Sequence, residues 1–137
     1  MIPAVGYHVV RGDEHEFDER PRPEGREADP PRLAAALTDL LGLGRSRAQL
    51  WRYPPGARGR RHAEHTQEEV FVVLEGTLTM HLGEPVQRVE LPPRSTVSVE
   101  PGTPLQLRND GGDEVIVFVY GAPPVRDGAD FLDDPEP

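Results

Sequence analysis

The chain has 137 residues, a formal net charge of -9, no cysteine and no lysine. Its length suits a single domain with its own core, and its charge argues against a nucleic-acid or membrane partner. Without cysteine and lysine, disulfides, thiolate ligands and Schiff-base chemistry are excluded. No apolar run approaches the roughly 20 residues that span a bilayer, and residues 1–5 lack the features of a signal peptide. We therefore expect a soluble cytoplasmic protein.

The first 46 residues predict an arm followed by one helix. Tyr7 to Arg11 has the composition of a short strand, and residues 12–31 are polar enough to form a solvated loop or surface arm. A helix is predicted from about Pro31 to Leu41, because Asp29 can cap it and prolines suit its first turn. Residues 1–46 are therefore assigned to an N-terminal arm and helix that pack on the domain.

From Ser46 onward, short apolar segments alternate with turns rich in proline and glycine. The predicted strands cover residues 47–53, 70–74, 77–82, 86–91, 96–99, 105–109 and 115–120. Short strands at this regular spacing predict an antiparallel sandwich or barrel. Residues 47–121 form the predicted barrel, and residues 122–137 form an acidic, proline-rich tail anchored by Phe131 and Leu132.

The segment between Gly56 and Gly76 concentrates residue types that bind metals or transfer protons. These are His62, Glu64, His65, Glu68 and Glu69. They precede an apolar run at residues 70–74 that reads as a buried strand. Ionisable groups at the entrance to a buried strand lie where desolvation and ligand geometry matter most.

Two segments of the chain resemble the two motifs of the cupin superfamily. The matching positions are Gly56, His62, Glu69 and Gly76 in the first motif, and Gly102 and Asn109 in the second. The resemblance spans residues 47–121 and is greatest to small, single-domain cupins of the conserved-barrel type. It implies an all-β fold, the double-stranded β-helix or jelly-roll barrel, with any active site inside the barrel. It also implies a homodimer.

The metal-binding motif of this cupin-like segment is degenerate. The family uses three histidines and one glutamate, of which His62 and Glu69 carry over. The second histidine position holds Glu64, and the third holds Leu105. His65 stands one position late, which on a regular strand turns it to the opposite face, unless a local bulge re-aims it. A divalent ion (Mn, Fe, Zn or Ni) would thus have His62, Glu64 and Glu69 as ligands, with His65 in reserve.

Three residues are candidates for binding a ligand in the barrel. Arg60 lies in a basic loop before His62 and can bind an anionic group through forked hydrogen bonds; the alternative is a solvated loop balanced by nearby acids. Trp51 and Tyr53 share one face of a strand and can line the pocket or pack in the core or a dimer interface. His62 likewise has an alternative role, as a polar group hydrogen-bonded to a neighbouring glutamate.

Three functions remain open on the sequence alone. The first is a cupin that binds a small polar or anionic molecule in the barrel and has an eroded metal site. The second is a metal-dependent enzyme, an isomerase or a dioxygenase. The third is a structural or interaction domain without a ligand. Because one fold hosts many chemistries, the geometry of the pocket has to distinguish them.

Overall fold

The computed structural model describes residues 6–124 and 128–134, and most of the regular structure in them is β-sheet. After a 3-10 turn at Gly12–Glu14, the elements are β1 (Asp18–Glu19), β2 (Leu33–Ala35), α1 (Leu37–Leu40), β3 (Arg47–Tyr53), β4 (His62–Glu64), β5 (Glu68–Glu75), β6 (Leu78–Leu82), β7 (Gln87–Leu91), β8 (Thr96–Val99), β9 (Leu105–Arg108), β10 (Val115–Ala122) and β11 (Ala129–Phe131).

The strands form two antiparallel sheets. One has the order β1-β2-β3-β10-β5-β8 and the other the order β11-β4-β9-β6-β7. The chain passes from one sheet to the other at every connection from β3 to β11 except the one between β6 and β7. This repeated crossing is the architecture of a jelly roll. The predicted double-stranded β-helix is confirmed.

The core lies between the two sheets because the strands alternate inward and outward residues. On β5 and β10, Phe71, Val73, Val117 and Val119 point inward and are buried. The facing sheet contributes Leu78, Met80, Leu105 and Leu107. Each side chain of this kind contributes about 1.5–3 kcal/mol when it leaves water, so these two layers hold the barrel together.

Two of the motif residues have architectural roles. Gly76 turns the chain between β5 and β6 with a φ of +72°, and a Cβ atom there would collide with the carbonyl of Glu114. Asn109 is fully buried, and its amide donates to the carbonyls of Tyr53 and Asp113 at 2.8 Å each. These residues fix the turns at one end of the barrel and do not depend on a metal.

The predicted helix from Pro31 to Leu41 is wrong over most of its length. Its first half forms β2, which pairs with β3 on one side and β1 on the other, and only α1 is helical. Ala34 and Ala35 have no exposed surface. Their burial against the sheet outweighs their high intrinsic helix propensity, which tertiary contacts readily override. Asp29, the expected cap, instead binds Arg58 at 2.9 Å.

The two ends of the chain also depart from the expectations. Tyr7 to Arg11 is not a strand. In the tail, by contrast, β11 pairs with β4, so that Phe131 lies opposite His62. The tail therefore contributes a strand to the wall of the barrel. No helix in the described part of the chain is long and apolar enough to cross a membrane.

Candidate functional site

His62, Glu64 and Glu69 converge inside the barrel. β4 presents His62 and Glu64 on one face because they are two residues apart, and β5 supplies Glu69 from the other sheet. One ligand atom of each residue lies within 4.8 Å of the other two. The structure thus brings together one imidazole and two carboxylates from two sheets.

The ring of His62 is held by hydrogen bonds to both of its nitrogens. Nδ1 lies 3.0 Å from the carbonyl oxygen of Arg60, which can only accept, so Nδ1 carries a proton. Nε2 lies 3.1 Å from Oε2 of Glu64. Burial acts to lower the pKa of His62, but the bonds to Glu64 and to the Arg60 carbonyl and the charge of Glu69 outweigh it, so this pKa is raised.

Glu69 is the least solvated member of the group, with 9% of its surface exposed. Burial, reinforced by the charge of Glu64, raises its pKa to about 7, although His62 and Arg47 oppose this shift. Among the described residues, no group donates a hydrogen bond to its buried Oε1 atom. A buried carboxylate oxygen without a donor is unfavourable, so the site is built for a proton or a cation.

The donor set fits a divalent cation. The nitrogen and the two carboxylates are ligands that Mn²⁺, Fe²⁺ and Zn²⁺ accept. The bond from Nδ1–H of His62 to a backbone carbonyl is the outer support that metal-binding histidines use, because it leaves Nε2 to face the ion. Leu105 lies directly opposite His62 and is 1% exposed. The site therefore offers three protein ligands, and an apolar side chain stands where a fourth ligand would lie.

These three residues line an interior cavity of about 180 Å³. The same cavity is lined by Trp51, Tyr53 and Arg60, so all three predicted ligand-binding residues border it. The two aromatic rings meet edge to face, with centroids 5.8 Å apart. Arg60 lies 4.1 Å from the centroid of the Phe131 ring in the C-terminal strand. The cavity thus combines an apolar aromatic wall, a cationic rim and the candidate metal ligands.

Residues 49–120 match the model of the cupin domain family. The chain belongs to the cupin domain family. No curated protein matches this cupin in sequence.

Three solved structures illustrate what this cupin resembles. A sugar phosphate isomerase of the cupin superfamily from Silicibacter pomeroyi is 24% identical, with a TM-score of 0.73 over 83% of this chain and 74% of that one. The polyketide cyclase RemF of Streptomyces resistomycificus is 19% identical, with a TM-score of 0.75 over 93% and 87%. A predicted oxalate decarboxylase of Thermotoga maritima is 17% identical, with a TM-score of 0.70 over 83% and 97%. At these identities the likeness establishes the fold and leaves the reaction open.

His65 lies apart from the other candidate ligands of the cupin. Its Nε2 atom lies 2.9 Å from a carboxylate oxygen of Asp130, and its side chain is 41% exposed. Its backbone N–H donates to the carbonyl of Gly128. The structure therefore places His65 against the C-terminal segment, and His65 neither lines the cavity nor belongs to the group of converging donors.

Two charged residues that line the cavity, Arg32 and Arg47, are not among the candidates predicted from the sequence. The guanidinium of Arg32 lies 5.1 Å from the Trp51 ring centroid. Burial raises the pKa of the Tyr53 hydroxyl, and the charge and hydrogen bond of Arg32 oppose this rise. Arg32 comes from residues 1–46, and no motif or alternation there marks it as a binding residue. Arg47 shares the period-2 face of Trp51 and Tyr53, so strand alternation could have found it.

The arginines of this cupin's cavity differ from most of those on its surface. Arg32, Arg47 and Arg60 have no carboxylate at ion-pair distance within residues 6–124 and 128–134. The chain nevertheless has 24 acidic residues against 15 basic ones. These arginines surround one cavity and have no carboxylate partner in the described part of the chain, although the chain is acidic. They are therefore suited to binding an anion through charge-assisted hydrogen bonds.

Proposed function

We propose that this cupin holds a divalent metal ion through His62, Glu64 and Glu69 and binds a small anionic molecule beside it. The observation that carries the proposal is the convergence of these three donors on the wall of a cavity with unpaired arginines. The small-molecule binder and the metal-dependent cupin, separate hypotheses on the sequence, become two parts of one site.

The carboxylates of Glu64 and Glu69 support a bound metal ion. Glu69 keeps an oxygen atom without a donor, and Glu64 adds a second negative charge in contact with His62. A cation placed among the three donors would neutralise both carboxylates. Two oxygen donors and one nitrogen favour Mn²⁺ or Fe²⁺ over Zn²⁺ or Ni²⁺ in ligand softness. When bound, such an ion supplies Lewis-acid polarisation of a ligand oxygen.

The charged rim of the cavity supports an anionic ligand. Arg32, Arg47 and Arg60 line this cavity, whose volume is about 180 Å³. This is room for about six water molecules at ~30 Å³ each, so only a small group fits beside the metal. Trp51 offers that group an apolar face. An open cavity of this character argues against a purely structural domain.

Calorimetric titration of the chelator-treated protein with Mn²⁺ tests the metal part. We expect one ion per chain, and we expect Glu69→Gln and His62→Ala to weaken binding by about tenfold or more, because each removes one of three ligands. His65→Ala is the matched control, since it removes a histidine three residues away that pairs with Asp130 and lies outside the donor group. Equal binding by the wild type and both site variants would refute the proposal.

A second candidate function is proton transfer in an isomerisation, favoured by one specific observation. The pKa of Glu69 is about 7, which poises a carboxyl group in the cavity to accept and donate protons at neutral pH. The likeness to a sugar phosphate isomerase is consistent with this chemistry. Solvent deuterium exchange into a phosphorylated hydroxyaldehyde, followed by NMR, tests it. Exchange should occur with the wild type and stop in Glu69→Gln.

A further inference from the structure

A second cavity adjoins the candidate metal site. It measures about 690 Å³ and lies between the N-terminal arm, α1, β3 and the C-terminal segment. Arg47, Gln49 and Glu64 line both this outer cavity and the inner one. We call the outer cavity the vestibule. The two cavities are therefore adjacent, and one of the side chains they share, Glu64, is a candidate metal ligand.

The size of the two cavities supports an elongated ligand. Pockets that bury small molecules typically measure about 300–1,000 Å³. The inner cavity, at about 180 Å³, is below that range, and the vestibule, at about 690 Å³, is within it. A ligand confined to the inner cavity would be unusually small. A ligand that fills both would have an ordinary size.

The charges of the vestibule indicate what its occupant carries. Arg20 lines it, and its Nε atom is buried without a hydrogen-bond partner in the described part of the chain. The backbone N–H of Arg20 donates to the carbonyl of Arg32 at 2.9 Å, which ties it to the sheet. Neither Arg20 nor Arg47 has a carboxylate at ion-pair distance among residues 6–124 and 128–134.

The vestibule also carries an acceptor for hydroxyl groups. Asp39, on α1, is exposed and lines it. A carboxylate next to unpaired arginines suits a ligand that has both hydroxyl donors and an acidic group. Thr38 is already engaged with the backbone of Ala48, so the polar side chains left to a ligand are those of Asp39, Gln49, Glu64 and the two arginines.

We propose that the vestibule is a second ligand subsite and that the ligand is an elongated, polyhydroxylated anion. Its outer end is a phosphate or a carboxylate, which Arg20 and Arg47 bind, while its chain hydroxyls contact Asp39. Its inner end lies beside His62, Glu64 and Glu69. This inference rests on the proposed function, because it extends the ligand of that site.

Calorimetry with four probes tests the second subsite. Ribose 5-phosphate carries a phosphate on a polyhydroxylated chain, and ribonate carries a carboxylate on a similar chain. Ribose has the hydroxyl groups without an acidic group. Glycolate is a small acid that is short enough to occupy the inner cavity without reaching the vestibule. Ribose 5-phosphate or ribonate should bind at least about tenfold more tightly than ribose, since charge-assisted hydrogen bonds are stronger than neutral ones. The better of the two anions identifies the acidic group.

The variants Arg20→Gln and Arg45→Gln separate the subsite from a general charge effect. Arg45 is exposed, lies near the vestibule in sequence and lines none of the described cavities. Arg20→Gln should weaken binding of the anionic sugar by about fivefold or more and leave Mn²⁺ and glycolate binding unchanged. Arg45→Gln should change none of them. Matched melting temperatures would show that both variants fold.

The failure of this inference is distinct from the failure of the proposed function. If the wild type binds Mn²⁺ and glycolate, but binds both sugar anions no more tightly than ribose, the vestibule is not a subsite and the proposed function stands. The vestibule is also not a subsite, and the proposed function stands, if Arg20→Gln and Arg45→Gln change the affinity for the anionic sugar equally. If the wild type binds neither Mn²⁺ nor any anion, both proposals are overturned.

Discussion

Leu105 lies directly opposite His62 in the antiparallel pairing of β4 with β9. Side chains at opposite positions of paired strands share a face, so the leucine lies on the same inward face of the sheet as the imidazole. Its exposed fraction is 1%. Leucine has no donor atom, so the site has three protein ligands and lacks a fourth at this position. We expect its metal affinity to be lower than that of a four-ligand site.

Replacing Leu105 with histidine should strengthen metal binding. A second imidazole on the face of His62 completes a four-ligand set, and we expect the affinity for Zn²⁺ to rise by about tenfold or more. Competition with a chromophoric chelator measures this change. Leu107→His is the control, because Leu107 is two residues along the same strand and lines the cavity, but is not the residue opposite His62. A gain of the same size in both variants would contradict the assigned geometry.

The metal-free protein should lose stability as the pH rises from about 5 to 8. The pKa of Glu69 rises from its ordinary value of 4.5 to about 7 on folding, so the folded state binds this proton more tightly than the unfolded state. The stabilisation is complete below 4.5 and is lost as the pH passes 7. The raised pKa of His62 acts in the same direction. At 1.36 kcal/mol per pKa unit, Glu69 accounts for up to about 3 kcal/mol.

Urea unfolding at several pH values, with a chelator present, measures this effect. Glu69→Gln should flatten the dependence of unfolding free energy on pH between 5 and 8, because its amide does not titrate. Metal affinity should show the opposite sign and rise with pH through about 7, since Glu69 must lose its proton to bind an ion. A wild-type profile as flat as that of the variant would show that Glu69 is not the group responsible.

Gly59→Ala should destabilise the protein by about 1–3 kcal/mol through overpacking. A Cβ atom at this position would lie 2.7 Å from the hydroxyl oxygen of Tyr53, and Tyr53 is 2% exposed and has little room to move. Thermal unfolding measures the loss. Gly112→Ala is the control, because a Cβ there meets nothing within 4 Å. The double variant with Tyr53→Phe should recover part of the stability, and an additive result would argue against this contact.

We expect the protein to form a homodimer, because the outer face of the six-stranded sheet exposes apolar side chains. Leu74 and Tyr120 are 48% and 40% exposed there, and Val72 pairs with Phe118 between them. An exposed apolar face of this kind is typical of an interaction surface. Light scattering after size-exclusion chromatography should give about twice the 15.2 kDa chain mass. Phe118→Glu should give a monomer and Tyr7→Glu, on the exposed arm, should not; a monomeric wild type would remove the prediction.

The barrel could be predicted from the sequence because its signals are local. Strand alternation, the turn prolines and glycines, and the two motifs each depend on residues close together in the chain. The arm could not, because Leu33 to Ala35 has helix-forming composition and becomes a strand only through pairing with β3. The same holds for the tail, where β11 depends on its contact with β4.

The candidate site divides in the same way. His62, Glu64 and Glu69 follow from motif spacing and the alternation of one short strand with its neighbour. Arg32 and the vestibule residue Arg20 come from a polar arm with no periodic pattern, and only the folded arrangement brings them to the cavities. His65 shows the converse: its type suits a metal, but it follows the end of β4 and pairs with Asp130.

Elemental analysis of the protein, purified without an affinity tag or chelator, shows whether His62, Glu64 and Glu69 hold a metal ion. We expect near-stoichiometric Mn or Fe in the wild type and in His65→Ala, and its loss from His62→Ala and Glu69→Gln. Absence of any metal from the wild type, even after incubation with Mn²⁺, Fe²⁺, Zn²⁺ and Ni²⁺ in turn, would contradict it. The three converging side chains would then be a hydrogen-bonded acid–base group in a metal-free cavity.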